Sequence, residues 1–240
     1  MELDILAFGA HPDDIELACS GTIIKAVKAG KKVGLVDLTE GQLGTRGTAT
    51  IRLKEAEDAA KIMGVEFRES LGMMDGFFKD DDHNRTRIIE SIRQYRPQIV
   101  LCNPPYERHP DHERASKLVK EACYYAGLKN IDTKWKGKHQ EPFRPNSVFY
   151  YLQHFNLEPS FLVDISEEME QKMEAIKAFK SQFYNPESEE PPTVLSTPQF
   201  LNHIRERCSN YGYLIGCNYA EGFMTQKDII GVNSIFDIKT

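Results

Sequence analysis

The chain has 240 residues, with 36 acidic against 30 basic side chains and a net charge of −6. No Lys/Arg block interrupts this balance, which speaks against nucleic acid as a partner, and no apolar stretch reaches membrane-spanning length. A hydrophobic content of 40% is enough for one α/β domain with a real core, expected to occupy residues 1–240.

Met1-Glu2-Leu3-Asp4 lacks the basic and apolar stretches of a signal peptide. Cys19, Cys102, Cys123, Cys208 and Cys217 are scattered and form no C-x-x-C pair. They read as free thiols of a reducing compartment, so a cytoplasmic location is expected.

Leu3–Gly9 is a short apolar run and predicts the first strand. Ile15–Ala29 follows with helical spacing and stops at Gly30. Lys32–Leu38 predicts a second strand, Thr39–Thr50 a Gly/Thr-rich mobile loop, and Ile51–Met63 an Ala-rich amphipathic helix. Val65–Leu71 reads as strand three and Gly72–Asn84 as irregular. Thr86–Tyr95 reads as a helix stopped before Pro97, and Gln98–Asn103 as strand four. His112–Ala126 continues as a helix after a loop, and Gly127–Asn146 reads as an exposed excursion. Ser147–Leu152 and Phe161–Ile165 predict further strands. Ser166 is placed as the cap of a helix over Glu167–Ser181. Asn185–Pro198 is a Pro/Glu loop, and Pro198 opens a helix to about Tyr211. Tyr219–Met224 is expected to fold over a crevice rim.

Strands alternating with helices imply right-handed β-α-β units. The fold class is therefore α/β, a Rossmann-like doubly wound, mostly parallel sheet with helices on both faces and a C-terminal elaboration. The order 3-2-1-4 sets strands one and four side by side, their carboxyl ends flanking the crevice where such sheets bind ligands. No G-x-G-x-x-G follows strand one, so a dinucleotide site lacks its main signal.

Two tetrads fall at those strand ends, His11-Pro12-Asp13-Asp14 and His109-Pro110-Asp111-His112. A catalytic zinc takes three protein ligands and keeps one position open. His11, Asp14 and His112 form the best trio, and the same two-His, one-carboxylate set suits Fe2+. Asp13, diverging from Asp14 in a turn, is assigned as general base. His109 is spare, with Asp111 near enough to orient it and to favour its cationic form for oxyanion stabilisation. The chemistry that follows is amide hydrolysis by a metal-activated water. The competing structural reading makes Asp13 or Asp14 a simple helix cap.

Arg52 and Arg108 are expected to contact a substrate anion, whereas Arg46 reads as solvated. His154 reads as structural or as a pocket residue, and His83, His139 and His203 as surface.

Ala10-His11-Pro12-Asp13-Asp14, Ser20-Gly21-Thr22 and His109-Pro110-Asp111-His112 resemble the PIG-L/LmbE-like N-deacetylases. Arg52–Glu57, Asp164-Ile165-Ser166, Ser181-Gln182-Phe183 and Tyr219–Met224 are similar to the bacillithiol-biosynthesis deacetylases. The resemblance implies Zn2+ on His11, Asp14 and His112, Asp13 as base, and His109 paired with Asp111. It also implies a small sugar amide as substrate, with N-acetylglucosaminyl L-malate the leading case and Arg52 on its carboxylates. It further implies a homo-oligomer. Ile15 intervenes before Glu16 where the common family form is H-P-D-D-E. Glu107 stands beside Tyr106 where some relatives place a tyrosine. Deacetylation of another sugar amide, such as a chitooligosaccharide or an antibiotic intermediate, and a non-catalytic metal- or sugar-binding module are the alternatives.

Overall fold

A computed structural model describes residues 2–225 and Gly231. The chain runs β1 (Ile5–Gly9), α1 (Asp14–Lys28), β2 (Val33–Thr39), α2 (Ala49–Met63), β3 (Phe67–Met73), α3 (Asp82–Tyr95), β4 (Ile99–Cys102) and α4 (Pro110–Tyr125). It continues with a small hairpin of β5 (Lys134–Trp135) and β6 (Lys138–His139). It ends with β7 (Ser147–Tyr151), β8 (Phe161–Asp164), α5 (Met169–Lys177), α6 (Pro198–Leu214) and β9 (Ala220–Thr225).

The main sheet has the order β3-β2-β1-β4-β7-β9-β8. The pairings from β3 to β7 are parallel, and β9 runs antiparallel to both β7 and β8. The expected 3-2-1-4 order and mixed α/β class are therefore present. Every residue of β1 is buried, as in a central strand covered on both faces. Leu6 and Phe8 point into a core closed by α3 and α4 through Ile88, Ile92, Leu118 and Val119. Ile5 and Ala7 point the other way, against Ile15, Ile23 and Met63 of α1 and α2. A further apolar layer, with Met173, Phe179, Phe183 and Ile204, joins α1 and α2 to α5, α6 and the segment between them. No helix among the described residues is long and apolar enough to cross a membrane.

Several expectations are corrected. Tyr219–Met224 is not a rim segment: most of it is β9, inserted between β7 and β8. Its Glu221 carboxylate accepts from the Gly21 and Thr22 N–H groups at 3.0 and 2.7 Å, and from buried Lys172 at 2.8 Å. Those polar atoms pair only in three dimensions, so the strand pattern was masked by its charge. The helix expected from Glu167 starts at Met169, because Ser166 bonds Asp164 and receives the Asn218 and Tyr219 N–H groups instead of capping. The helix expected from Thr86 starts a turn earlier, with Asp81 accepting from the Asn84 N–H. The excursion 127–146 contains the β5–β6 hairpin.

Candidate active site

The ends of β1, β3, β4 and β7 converge on one cleft of about 470 Å³. Each contributes polar side chains just past its last residue. That is where an open parallel sheet exposes backbone and side chains to a ligand.

After β1 the backbone turns sharply into α1. Asp13 adopts φ 109° and makes no side-chain cap, so the simple helix-cap reading fails for it. A non-glycine residue in this region stores about 1–3 kcal/mol of strain and persists only where its surroundings impose it. Arg52 supplies much of that constraint. Its guanidinium donates to the Pro12 carbonyl at 2.6 Å, to Asp13 Oδ2 at 3.1 Å and to the Gly41 carbonyl at 3.1 Å. Gly41 lies at φ +65°, and a Cβ there would fall inside the Arg52 guanidinium, so only glycine lets the arginine reach Asp13. Burial nevertheless pushes the Asp13 carboxyl up to about 7, against the lowering effect of Arg52 and with the Asp14 charge adding to the rise.

Asp14 is fully engaged. One oxygen receives Gln153 Nε2 at 2.7 Å and lies 3.1 Å from His112 Nε2. The other receives the His11 N–H at 3.0 Å and Asn103 Nδ2 at 3.1 Å, and lies 3.6 Å from His11 Nδ1. His11 turns its Nε2 toward Asp75 at 3.0 Å and Asp111 at 3.3 Å. Burial opposes a charge on His11, but the hydrogen bonds to Asp111, Asp14 and Asp75 prevail and raise its pKa well above the ordinary histidine value. Candidate donor atoms of His11, His109 and His112 lie within 4.8 Å of one another, as do those of His11, Asp75 and Asp111. Asp14 touches two of these histidines. Nδ1 of His112 is buried with no partner among the described residues. Imidazoles, gathered carboxylates and a spare ring nitrogen are the donor set a divalent cation takes.

The second tetrad opens α4. His109 is the N-cap, its Nδ1 accepting from the Asp111 N–H at 3.2 Å, and Pro110 follows in the first turn. The expected pairing of the Asp111 carboxylate with His109 is not what the fold forms. That carboxylate instead faces His11, Arg114 Nη1 at 2.5 Å and the Gly76 N–H at 2.8 Å. Burial, then the charges of His11 and His112, lower the His109 pKa against the raising effect of Asp111 and Asp14, the opposite direction to the one expected. Because Nδ1 accepts from the Asp111 N–H, the ring's hydrogen sits on Nε2.

Of the expected substrate contacts, Arg108 is exposed and lines the cleft. Arg52 is buried at the cleft, its two Nη atoms donating to Asp13, Pro12 and Gly41 and its Nε without a partner among the described residues. Arg46 is also buried, 5% exposed. It donates to Ser188 Oγ and the Ser181 carbonyl, each at 2.6 Å, and ties the Gly-rich loop to the segment after α5. His154 and His203 both line the cleft, His203 exposed as expected of a surface residue, and His139 pairs with Asp132 at 2.8 Å.

Asp75, Asn103 and Gln153, like Arg207 of the cleft wall, are polar residues that sequence reasoning passed over. Asp75, Asn103 and Gln153 follow strand ends, Gln153 beside His154, and that position was the available signal.

The chain matches the family model described as PIG-L, GlcNAc-PI de-N-acetylase, over residues 6–123. It is 34% identical to the diacetylchitobiose deacetylase of Thermococcus kodakarensis, covering 91% of this chain and 81% of that one. It is 28% identical to a probable N-acetyl-alpha-D-glucosaminyl L-malate deacetylase 2 of Bacillus cereus, over 76% of this chain and 84% of that one. The crystal structure of a conserved protein of Thermus thermophilus superposes with a TM-score of 0.85 at 34% identity, covering 96% of this chain and 98% of the other. With the paired tetrads at adjacent strand ends, these likenesses establish that the chain belongs to the PIG-L family and is an N-deacetylase.

Proposed function

We propose that the enzyme hydrolyses the N-acetyl group of an N-acetylglucosamine conjugate, releasing acetate and the free amine. The observation that carries this reading is the convergence of His11, Asp14 and His112 in a cleft that also holds Asp13, a buried carboxyl whose pKa is pushed to about 7. His11, Asp14 and His112 would hold the ion, Zn2+ or Fe2+. When bound, a divalent ion supplies Lewis acidity that polarises the amide carbonyl and makes water a nucleophile at neutral pH.

The remaining steps belong to the chain. Asp13 takes a proton from the attacking water and, with a pKa near neutrality, returns it to the departing amine nitrogen. Arg52 holds that carboxylate in place. The neutral His109 ring offers its Nε2–H to the oxygen that gains charge as the carbonyl is attacked. Asp75 and Asp111 fix the His11 ring, as carboxylates behind ligating histidines do.

For the aglycone, the 34% likeness to a diacetylchitobiose deacetylase and the 28% likeness to an N-acetylglucosaminyl malate deacetylase support a second sugar and malate, respectively, as the candidates. The test is acetate release from diacetylchitobiose, N-acetylglucosaminyl malate and plain N-acetylglucosamine, with metal content measured on the same sample. Turnover of at least one conjugate above the plain sugar is expected. A fully metallated protein that releases acetate from none of them overturns the reading.

A further inference from the structure

Arg207, on α6, is 9% exposed and lines the cleft. Its Nη2 donates to the Leu17 carbonyl at 2.9 Å, and among the described residues no carboxylate forms an ion pair with it. The other buried arginines at or near the site are neutralised or saturated. Arg68 is paired with Glu16 and Asp37, Arg52 with Asp13, and Arg46 is surrounded by carbonyls and hydroxyls. A guanidinium removed from water without an anion is costly. A cleft-facing one is a ready partner for a planar oxyanion.

A second guanidinium, that of Arg108, stands in the same cleft as Arg207, and His203 lines that cleft too. His154 also lines it, and its pKa is lowered first by burial and then by Arg108, against the raising effect of Glu107, with Arg207 and His203 adding to the lowering. The buried acid nearby, Glu107, spends both oxygens on the Arg108 and His154 N–H groups. Arg207 and His203 also line a second groove of about 510 Å³ beside α6, together with Asn156, Asn210 and Glu206. Arg207 therefore stands where the cleft continues beyond the catalytic tetrads.

We infer that Arg207, helped by Arg108 and His203, is the binding site for an oxyanion carried by the part of the substrate beyond the acetylated sugar, a carboxylate or a phosphate. The inference rests on the reading of this cleft as an N-acetylglucosaminide deacetylase site, and it narrows the substrate class to anionic conjugates.

The experiment compares wild type, Arg207→Gln and Arg207→Lys on three conjugates: N-acetylglucosaminyl malate, N-acetylglucosamine 1-phosphate and neutral methyl N-acetylglucosaminide. Wild type is expected to favour an anionic conjugate in kcat/KM. Arg207→Gln is expected to lose at least about tenfold on it through KM, with the neutral conjugate nearly unchanged and Arg207→Lys restoring part of the loss. The preferred anion, malate or phosphate, distinguishes a carboxylate from a phosphate ligand. Equal kcat/KM of wild type on charged and neutral conjugates overturns the inference, and so does an equal loss on both in Arg207→Gln. Calorimetric binding of inorganic phosphate is independent of turnover. Weaker binding by Arg207→Gln than by wild type supports the site, and equal binding or none overturns it. Acetate release from no conjugate overturns the functional reading, and phosphate binding still decides the role of Arg207.

Discussion

His11-Pro12-Asp13-Asp14 enters α1 through a backbone at φ 109°, whereas His109-Pro110-Asp111-His112 enters α4 through an ordinary extended N-cap at φ −89°. In the first tetrad the carboxylate after proline is buried on a strained backbone and answered, among the described residues, by an arginine brought from α2. In the second, the corresponding carboxylate lies behind the site, tied to a backbone N–H, an arginine and the other tetrad's histidine. Near-identical residues thus divide the work. One turn holds a buried carboxyl pushed up to about 7, the proposed proton-transfer group, and the other is a rigid helix start that carries two imidazoles.

The largest effect should come from the ligands common to both tetrads. His11→Ala, Asp14→Ala or His112→Ala is expected to leave the protein with less than one ion per chain by elemental analysis, and to cut acetate release by on the order of 10³-fold or more. Full metal occupancy in all three would break the assignment of the trio.

Asp13→Asn separates the tetrads. It should lower kcat by roughly 10²–10⁴-fold with metal content unchanged, whereas Asp111→Asn, acting through His11, should weaken metal binding by about 10–100-fold. A retained kcat in Asp13→Asn removes Asp13 from proton transfer.

Arg52→Ala tests the strained turn at one remove. Arg52 lowers the Asp13 pKa. Without it the carboxylate ionises only at higher pH, so activity that needs ionised Asp13 should lose its lower-pH range and the acidic limb of kcat against pH should move up. Gly41→Ala should mimic this by displacing the guanidinium, and should cost about 1–3 kcal/mol in chemical denaturation. An unmoved acidic limb in both variants would show that Arg52 does not govern Asp13.

The smallest effect belongs to the unstrained turn. Pro110→Ala should cost only about 0.4–1 kcal/mol, because proline in the first helical turn acts mainly by restricting the unfolded chain. A loss as large as that of Gly41→Ala would mean that the second tetrad is strained too.

The strand order around β1 and β4 was legible because apolar runs, glycine stops and alternation with helices are local signals. The tetrads were legible because histidine and aspartate around proline at a strand end is a rare conjunction. β9 was not legible, since Glu221 finds Lys172 and the α1 backbone only after folding. Asp75, Asn103 and Gln153 each look like an ordinary polar loop residue until four strand ends are brought together.

By itself the sequence determined the parallel α/β core, the position of both tetrads at the crevice and the metal-and-acid chemistry they imply. Only the tertiary structure decided which partner each group takes. Arg52 goes to Asp13 instead of a substrate, the Asp111 carboxylate to His11 instead of His109, and Arg207 lines the cleft with no carboxylate paired to it among the described residues. The physical reason is that residue type and spacing fix what a side chain can donate or accept, whereas burial and long-range pairing fix which of those capacities remain unspent at the site.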